Sequence, residues 1–577
     1  MTSGSHARPH SGPPPLESPP PLIDRTSSPT ENTPLLDSTL PKPIDDDESQ
    51  DVSDTDSDAG SIVVVVQEMS ELRLILTLTT TWVGVFLGAV DAATQSIIAT
   101  LSGPISSDFK SMSLMSWLAT AYLIANASCQ PLSGRLTDIF GRGPGLVFSN
   151  LMFALGNLIC GLANDRYTIV FGRVIAGIGG GGLMSISTFL GSDLVPLRKR
   201  GIYQGIGNIS YGAGSMLGGV FGGVLSDADL LGLGWRLAFL IQVPIVVASA
   251  VLVHILVRVP PKVSNKSLIS RIDFGGSLLT ISFLVVLLLG LNTGGTVVPW
   301  THPLVLSTFP VSLVLLATFI WWESRAKQPI IPVRLLLDRT IFSACITNLV
   351  STMVMMTASF YIPLYLQVLG YSATQSGLRL LAAPLGVSIS SVSAGIIMKS
   401  TGRYVGLGVS IQVIFLVGVI ALNFLDQDTP NWVPFVAMGL HGAGYGAMLT
   451  ITLLACIAAV EHSQQAVVTA ATYLFRSVGA TVGLTIASTI YQNVLQARLQ
   501  GRFGSLPGAL EEIERIRNDL SELRNLPEGW HDGVISSFME AFHGVWLASL
   551  GLAVVGLISI SLMKQHKLHS NLARAED

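Results

Sequence analysis

Long apolar runs, separated by short polar segments, follow one another along the chain from about residue 74 to residue 563. A helix that crosses a bilayer needs roughly 20 mostly apolar residues. No alternating pattern typical of barrel strands is present, so each run is predicted to be a membrane-spanning helix. The fourteen predicted spans are residues 74–98, 112–134, 144–163, 167–192, 202–225, 236–257, 273–292, 303–322, 341–368, 377–398, 404–425, 432–458, 466–494 and 541–563.

Composition supports this prediction of an all-α polytopic membrane protein. The chain has 577 residues, of which 49% are hydrophobic and 12% charged, and its mean hydropathy is +0.57. Soluble domains carry about 25% charged residues, so a soluble enzyme, a nucleic-acid binder and a disordered scaffold are excluded for the whole chain. The four cysteines lie inside apolar runs and lack metal-ligand spacing, so we expect no metal site and no cofactor.

Residues 1–70 differ in composition from the remainder. They contain 13 Asp and Glu against 3 Lys and Arg, and they are rich in Pro, Ser and Thr. Such a segment cannot bury a core and is predicted to be a disordered tail. Its acidity argues against a nucleic-acid partner. The tail contains Glu31, Leu35 and Leu36 in a pattern that resembles an acidic dileucine sorting signal, which implies a sorting adaptor as a partner and a lysosomal or vacuolar destination.

The basic residues of the short loops predict the orientation. Fifteen Lys and Arg lie in the loops on one side of the spans and four on the other. Because cytosolic loops carry the excess of Lys and Arg, both termini are predicted to be cytosolic. The long non-cytosolic loop 495–540 has mixed charges. Its apolar residues at helical spacing predict an amphipathic helix lying on the rim, formed by Leu510, Ile513, Ile516, Leu520 and Leu523.

A nine-residue pattern occurs twice, with Gly at the first position, a polar residue at +4, Gly at +7 and Arg at +8. One copy, residues 134–142, follows the second span, and the other, residues 395–403, follows the tenth. The repeat predicts two six-helix halves, 74–257 and 341–563, with two linker helices within 273–322 and a cytosolic tail at 564–577. Internal repeats of this kind are typical of secondary transporters, whose substrate site lies near the midplane between the halves.

The first copy carries chemistry as well as spacing. We expect a short loop here, with glycine for the tight turn, and Asp138 and Arg142 pairing with each other or with nearby helix ends. Gly134, Asp138, Gly141 and Arg142 resemble motif A of the major facilitator superfamily, which implies a cytosolic gate and that superfamily's fold. Ile139 departs from the pattern, which commonly has a basic residue there, and the second copy has Lys399 in place of the acid.

Two further segments strengthen the resemblance. Residues 173–179 of span four are similar to motif B, and the glycines of span five are similar to the antiporter motif C, which normally has Pro at position 219. With the fourteen spans, the chain resembles the fourteen-spanner drug:proton antiporter family over residues 74–563. Close helix packing is an equally compatible reason for the span-five glycines, which include Gly214, Gly218, Gly219, Gly222 and Gly223.

Ionisable residues inside the spans are the candidate site residues, since each costs about 2.5–3.5 kcal/mol on insertion scales. Asp91 in span one matches an acidic residue typical of the fourteen-spanner family, and we predict that it binds a proton or a cationic substrate. The alternative is a structural pair with an arginine, for which Arg173 in span four is the candidate; the superfamily associates that arginine with proton coupling. Arg476 in span thirteen either belongs to the same site or extends to the membrane surface.

Taken with the tail, the body resembles the fungal vacuolar basic amino-acid transporters. This implies a proton-coupled antiporter that moves Lys, Arg or His from the cytosol into an acidic vacuole, with the small-molecule substrate, protons and the lipid bilayer as partners. A plasma-membrane exporter of drugs or toxins shares every motif of the body. A nutrient sensor without net transport is a third interpretation. No HExxH or nucleotide-binding motif accompanies the spans, so we do not expect an enzyme.

Overall fold

The computed structural model describes most of the chain from residue 70 onwards, within the compact unit Val64–Asp577. Helices make up nearly all of this part, and its strand pairing is limited to an isolated bridge between Gly294 and Val298. The described residues are 70–92, 109, 113–227, 234–257, 273–294, 298–326, 333–371, 373–430, 432–461, 464–506, 508–518, 523, 526–527 and 529–568.

Fourteen long helices lie within the described ranges, one for each predicted span, which confirms the fold class. In chain order they are α1 (Glu71–Ala92), α2 (Ser113–Phe140), α3 (Arg142–Leu162), α4 (Arg166–Leu194), α5 (Leu197–Asp227), α6 (Gly234–Leu256), α7 (Phe274–Thr293), α8 (Pro303–Glu323), α9 (Arg339–Val368), α10 (Ala382–Thr401), α11 (Val405–Asn423), α12 (Val433–Ala458), α13 (Gln465–Phe503) and α14 (His531–Ser561). Three of these helices, α4, α7 and α9, have an aspartate N-cap. The carboxylates of Asp165, Asp273 and Asp338 accept hydrogen bonds from the first free backbone N–H groups.

By length and composition, twelve of these helices are able to cross a membrane, counted over the described residues. The two exceptions are α2 and α5. Both carry charged and polar side chains, α2 at its end and α5 at its start, in the segments Gly134–Phe140 and Leu197–Arg200. Both also pack against the other half of the molecule, so part of their surface faces protein instead of lipid. Their lower apolar content follows from that position.

The helices pack as two matched sets of six. In the first half, α4 packs on α2 and α3, α5 on α1, and α6 on α3. The second half repeats this arrangement, with α12 on α10 and α11, α13 on α9, and α14 on α11. The linker helices α7 and α8 pack on each other, and α7 also contacts α2. Two crossings related by the repeat join the halves, α2 with α13 and α5 with α10.

Glycines allow both crossings to be close. A Cβ atom on Gly134 of α2 would lie 3.2 Å from the carbonyl oxygen of Ala466 in α13. A Cβ atom on Gly201 of α5 would lie 2.8 Å from the Cα atom of Gly395 in α10. Gly134 and Gly395 open the two copies of the repeated pattern. Both close crossings lie at the end of the bundle where α2 meets α3, which we call the α2–α3 end.

The repeated pattern lies mainly in helix, which corrects the prediction of a glycine-containing loop. The helix α2 continues to Phe140, six residues beyond the predicted span, and Gly141 alone separates it from α3. Gly141 has φ 97° and ψ 153°, a conformation open in practice only to glycine. In the second copy α10 continues to Thr401, and Gly402 ends it in the left-handed conformation with φ 67°. The first glycine of each copy serves packing, and the second makes the turn.

At the opposite end, α13 and α14 extend far beyond the predicted spans 466–494 and 541–563. The 39 residues of α13 make a helix about 58 Å long, against a hydrocarbon core of about 30 Å. The extension is held by packing and charge: the rings of Phe503 and Trp530 stack 4.1 Å apart, and Glu540 pairs with Arg498 and Arg502 at 2.7 and 2.5 Å. Much of the predicted loop 495–540 is therefore helical.

The amphipathic helix predicted in that loop is confirmed over Ala509–Asn518. Ile513 and Ile516 are buried in the same core cluster as Phe503, and Leu523 packs against it. The prediction is wrong for Leu510, which is 68% exposed, because the helix buries only the side that faces α13. Leu520 lies outside the described residues.

Candidate functional site

A buried cluster of charges occupies the α2–α3 end. The guanidinium of Arg142 lies 2.6 Å from a carboxylate oxygen of Asp138 and 2.7 Å from one of Asp193, at the end of α4. It also donates to the hydroxyl of Thr137 at 2.6 Å and lies over the ring of Phe189 at 5.4 Å. Arg142 and Asp138 are both buried. One arginine thus joins the ends of three helices through charge-assisted hydrogen bonds.

The second copy of the pattern is arranged without such pairs in the described part of the chain. The backbone carbonyls of Lys399 and Ser400 accept hydrogen bonds from Arg198 of α5, at 2.7 and 3.3 Å. Nearby, Arg200 donates to Gln465 at the start of α13, with an N–O distance of 3.0 Å. Arg198 and Arg200 belong to the first half and their partners to the second. The α2–α3 end is therefore closed by hydrogen bonds between the halves as well as by the glycine crossings.

Arg173 is fully buried in α4, about 10 Å from the start of that helix at the opposite end. Its Nε donates to the carbonyl oxygen of Leu118 at 3.4 Å, and its guanidinium lies 4.4 Å from the ring centre of Tyr122 and 5.9 Å from that of Phe239. These contacts hold the cation between aromatic faces.

Asp91 is the second-last residue of α1, and its side chain lies outside the described residues. Val90, next to it, belongs to the buried cluster that also contains Leu118 and Phe239. The backbone of α1 therefore brings Asp91 to the region of Arg173. Their pairing stays a prediction.

A polar region joins the halves at mid-depth. Arg476 of α13 lies 4.0 Å from the ring centre of Tyr473, whose hydroxyl is 2.7 Å from that of Thr188 in α4. Ser477 of α13 donates to Gln130 of α2 at 2.9 Å. These contacts join side chains from α2, α4 and α13.

The α5–α10 crossing, which the repeat relates to the α2–α13 crossing, is polar as well. Asn208 of α5 donates to Ser391 of α10 at 2.7 Å, and Ser391 is 2.5 Å from the hydroxyl of Thr450 in α12. In the second half, the hydroxyls of Tyr445 and Thr352 are 3.1 Å apart. Hydrogen-bonding groups thus line the interface of the halves on both sides of the bundle, as a polar ligand at the midplane requires.

The span-five glycines pack helices together where they are described. A Cβ atom on Gly214 would overlap the backbone of Phe86 in α1, and Gly218 is buried. Gly479 of α13 has the equivalent contact with the backbone of Leu349 in α9. The surroundings of Gly219, Gly222 and Gly223 lie outside the described residues, as do the tail residues Glu31, Leu35 and Leu36.

Sequence reasoning missed several of these groups. The basic residue nearest to Asp193 in sequence is Arg198, five residues later. In the structure Asp193 pairs with Arg142 instead. Tyr473 precedes Arg476 by three residues, a spacing that places both on one side of a helix and could have identified the stacked pair. Among the described residues, no group of three or more His, Cys, Asp or Glu is placed to hold a metal ion.

Together these features define a multi-pass integral membrane protein built as a transporter, with two helical halves around a polar midplane. The chain belongs to the major facilitator superfamily, whose family model matches residues 81–484. Members of this family are transporters, so the chain is a transporter and not an enzyme.

Two curated relatives and a solved structure illustrate the similarity. "Multidrug resistance protein fnx1" of Schizosaccharomyces pombe is 36% identical over 86% of this chain and 93% of its own length. "Vacuolar basic amino acid transporter 2" of Saccharomyces cerevisiae is 35% identical over 64% of this chain and 80% of its own. The proton:xylose symporter XylE has a TM-score of 0.53 at 15% identity, covering 84% of this chain and 95% of that one, and it supports the fold alone.

Proposed function

We propose that this transporter is a proton-coupled antiporter that moves basic amino acids from the cytosol into the vacuole by alternating access. The main observation that supports this proposal is how the two halves contact each other. They are closed at the α2–α3 end by the contacts of Gly134 and Gly395 and by the Arg200–Gln465 hydrogen bond, with a polar region behind them at mid-depth. A substrate site behind a closed gate is one state of an alternating-access cycle.

The orientation of the gate follows from charge. Most loop Lys and Arg lie at the α2–α3 end, which by the positive-inside rule faces the cytosol. In this proposal the described state is closed to the cytosol, and both termini are cytosolic. Opening requires α2 to separate from α13 and α5 from α10. The buried ion pairs of Arg142 lie within the first half, so that half is expected to move as a unit.

The direction and the driving force follow from the proposed location. The yeast relative is named as a vacuolar basic amino acid transporter, and residues 31–36 resemble a sorting signal for that organelle. Each unit of pH difference supplies about 1.4 kcal/mol per proton. Asp91 couples the two fluxes in this scheme, because a protonated carboxyl group no longer attracts a cationic substrate.

Uptake of labelled Lys, Arg and His into acidified vesicles containing the purified protein tests the proposal. We expect uptake that stops when a protonophore collapses the pH gradient. The Asp91→Asn variant should lose that dependence, and Asp91→Glu, which keeps the titratable group, should retain part of it. Gradient-dependent uptake by Asp91→Asn at the wild-type rate would reject the role of Asp91. Absence of uptake by folded wild-type protein would reject the substrate.

A second candidate is a plasma-membrane exporter of drugs, favoured by the name of the 36% identical relative. The two candidates differ in location and substrate. Imaging a tagged chain with and without the double substitution Leu35→Ala and Leu36→Ala separates them. A vacuolar signal that moves to the cell surface in the variant supports the amino-acid proposal. A surface signal in both, with drug resistance on overexpression, supports the exporter.

A further inference from the structure

Arg476 lies deep inside α13. It stands eleven residues after Gln465, which begins the helix at the α2–α3 end. At 1.5 Å per residue this is about 16 Å along the axis, close to the middle of a hydrocarbon core about 30 Å thick. The side chain is partly buried. A guanidinium at this depth is too far from the helix end for the surface extension considered from the sequence, and its position calls for a polar partner.

The guanidinium of Arg476 lies over an aromatic ring. It lies 4.0 Å from the ring centre of Tyr473, and the hydroxyl of Tyr473 is fixed 2.7 Å from that of Thr188 in the other half. A cation over an aromatic ring is stabilised by the ring quadrupole. A cation–π contact does not require the guanidinium N–H groups to reach an acceptor atom, so these donors can bind a ligand.

The described surroundings of Arg476 contain hydroxyl groups and no ion-pair partner. Within the described residues, the ion pairs involve other side chains. The hydroxyls of Tyr211 in α5 and Tyr445 in α12 lie within electrostatic reach of Arg476. Tyr211 is 43% exposed although it faces helices of the other half. Among the described residues, Arg476 interacts with tyrosine rings and hydroxyls and has no carboxylate partner, so its charge is complementary to an anion.

We propose that Arg476 binds the α-carboxylate of an amino-acid substrate, with the hydroxyls of Tyr211 and Tyr445 beside it. This inference rests on the proposed function, since it assumes that the substrate is an amino acid. The planar guanidinium matches a carboxylate through two parallel hydrogen bonds. A bound basic amino acid then directs its cationic side chain away from Arg476, towards a carboxylate elsewhere in the site.

Lysine and lysinamide test this directly, because lysinamide has a neutral amide in place of the α-carboxylate that Arg476 is proposed to bind. Binding is measured on purified full-length protein by competition with labelled lysine, and in parallel by ligand-induced thermal shift. Wild type should bind lysine about 10- to 100-fold more tightly than lysinamide, the range expected for hydrogen bonds to a charged group. Arg476→Gln should lower that ratio to below about threefold. Arg476→Lys keeps the positive charge but cannot form the two parallel hydrogen bonds of a guanidinium, so it should give an intermediate ratio.

Arg498→Gln is the matched control. It makes the same change on the same helix, at an exposed position outside the membrane, and should leave the ratio unchanged. Should Arg476→Gln fail to fold, Arg476→Lys and Tyr445→Phe carry the test. Equal binding of lysine and lysinamide to wild type, or a wild-type ratio in Arg476→Gln, would overturn this inference while lysine transport stands. A wild type that binds no basic amino acid would overturn it together with the proposed function.

Discussion

The two copies of the nine-residue pattern, 134–142 and 395–403, share their glycines and differ in their charges. In the first, Arg142 is buried between Asp138 and Asp193. In the second, Arg403 is exposed, and the backbone carbonyl of Lys399 accepts a hydrogen bond from the opposite half. The glycines serve the same two purposes in both copies, a close crossing and a turn.

The comparison separates what the fold requires from what one half adds. The crossings depend on the first glycine of each copy, so the repeat retains it twice. Within the described residues, ion pairing occurs in the first copy and stabilises the α2–α3–α4 corner, whereas the equivalent α10–α11 corner has hydrogen bonds to backbone carbonyls. Tyr404, directly after the second copy, donates to the carbonyl of Lys564 at 2.6 Å and accepts from the N–H of His566 at 2.8 Å. The C-terminal segment thus supports the second copy where charge supports the first.

Removing the arginine from each copy should give the largest contrast. Arg142→Gln leaves Asp138 and Asp193 close together and without their cation, and should lower the free energy of unfolding by about 3–5 kcal/mol. Arg403→Gln, at the equivalent exposed position, should change it by less than about 0.5 kcal/mol. Denaturant unfolding of the purified variants measures both. Similar losses would show that the charge asymmetry has no energetic meaning.

Adding a methyl group at the crossings should have the next largest effect. Gly395→Ala places a Cβ atom against the backbone of Gly201, which has no side chain to move aside, and should cost about 2–3 kcal/mol. Gly134→Ala meets Ala466 at 3.2 Å and should cost about 1 kcal/mol. Gly406→Ala, a helical glycine with open space around its Cβ position, is the control and should be neutral or slightly stabilising. Thermal unfolding ranks the three, and equal losses for Gly395 and Gly406 would reject the crossing.

Substitution of the two turn glycines should give a smaller difference in the free energy of unfolding. Gly402 has φ 67° and ψ 5°, a left-handed conformation that asparagine tolerates, whereas Gly141 at φ 97° and ψ 153° is in a region that side chains avoid. Gly402→Asn should therefore cost below about 0.5 kcal/mol and Gly141→Asn about 1–2 kcal/mol. The same unfolding measurement checks the order. A reversed order would contradict the backbone geometry of one of the turns.

The loss at Tyr404, next to the second copy, should be smaller than the loss at Arg142 in the first. Loss of its two hydrogen bonds in Tyr404→Phe should cost about 1 kcal/mol. Burial raises the pKa of Tyr404 from its usual value of 10 to about 12. The neutral form is thus favoured in the folded state, so this stabilisation is complete below pH 10 and is lost as the pH rises towards 12. Absorbance titration near 295 nm of wild type against Tyr404→Phe measures it, and a titration at the usual value would contradict the burial.

The order and number of long helices could be predicted from sequence because an apolar run of sufficient length has few alternatives in lipid. The residues at which the helices begin and end could not be predicted. The apolar run marks the part of a helix that contacts lipid or core, whereas α2, α13 and α14 continue into polar sequence. There, neighbouring helices satisfy those side chains, as Glu540 does for Arg498 and Arg502.

Residue type was enough to nominate candidate site residues from the sequence, but it did not indicate which side chains they contact. Charges inside the spans made Asp91, Arg173 and Arg476 the candidate residues, since an ionisable group there is costly. The roles assigned to them stay predictions. Asp193 and Thr188 escaped notice because their partners, Arg142 and Tyr473, are 51 and 285 residues away in sequence. Such pairs exist only once the helices have crossed, and one sequence does not specify which sides meet.

The unbroken length of α13 has a mechanical consequence. One rod runs from the contact with Gly134, past Arg476, to the stacked rings of Phe503 and Trp530. A rigid rod about 58 Å long that tilts by about 10° at one end sweeps its tip through about 10 Å. The protruding tip is thus a lever that magnifies small movements at the other side of the membrane. A fluorophore at position 498 would make those movements visible from the far aqueous compartment.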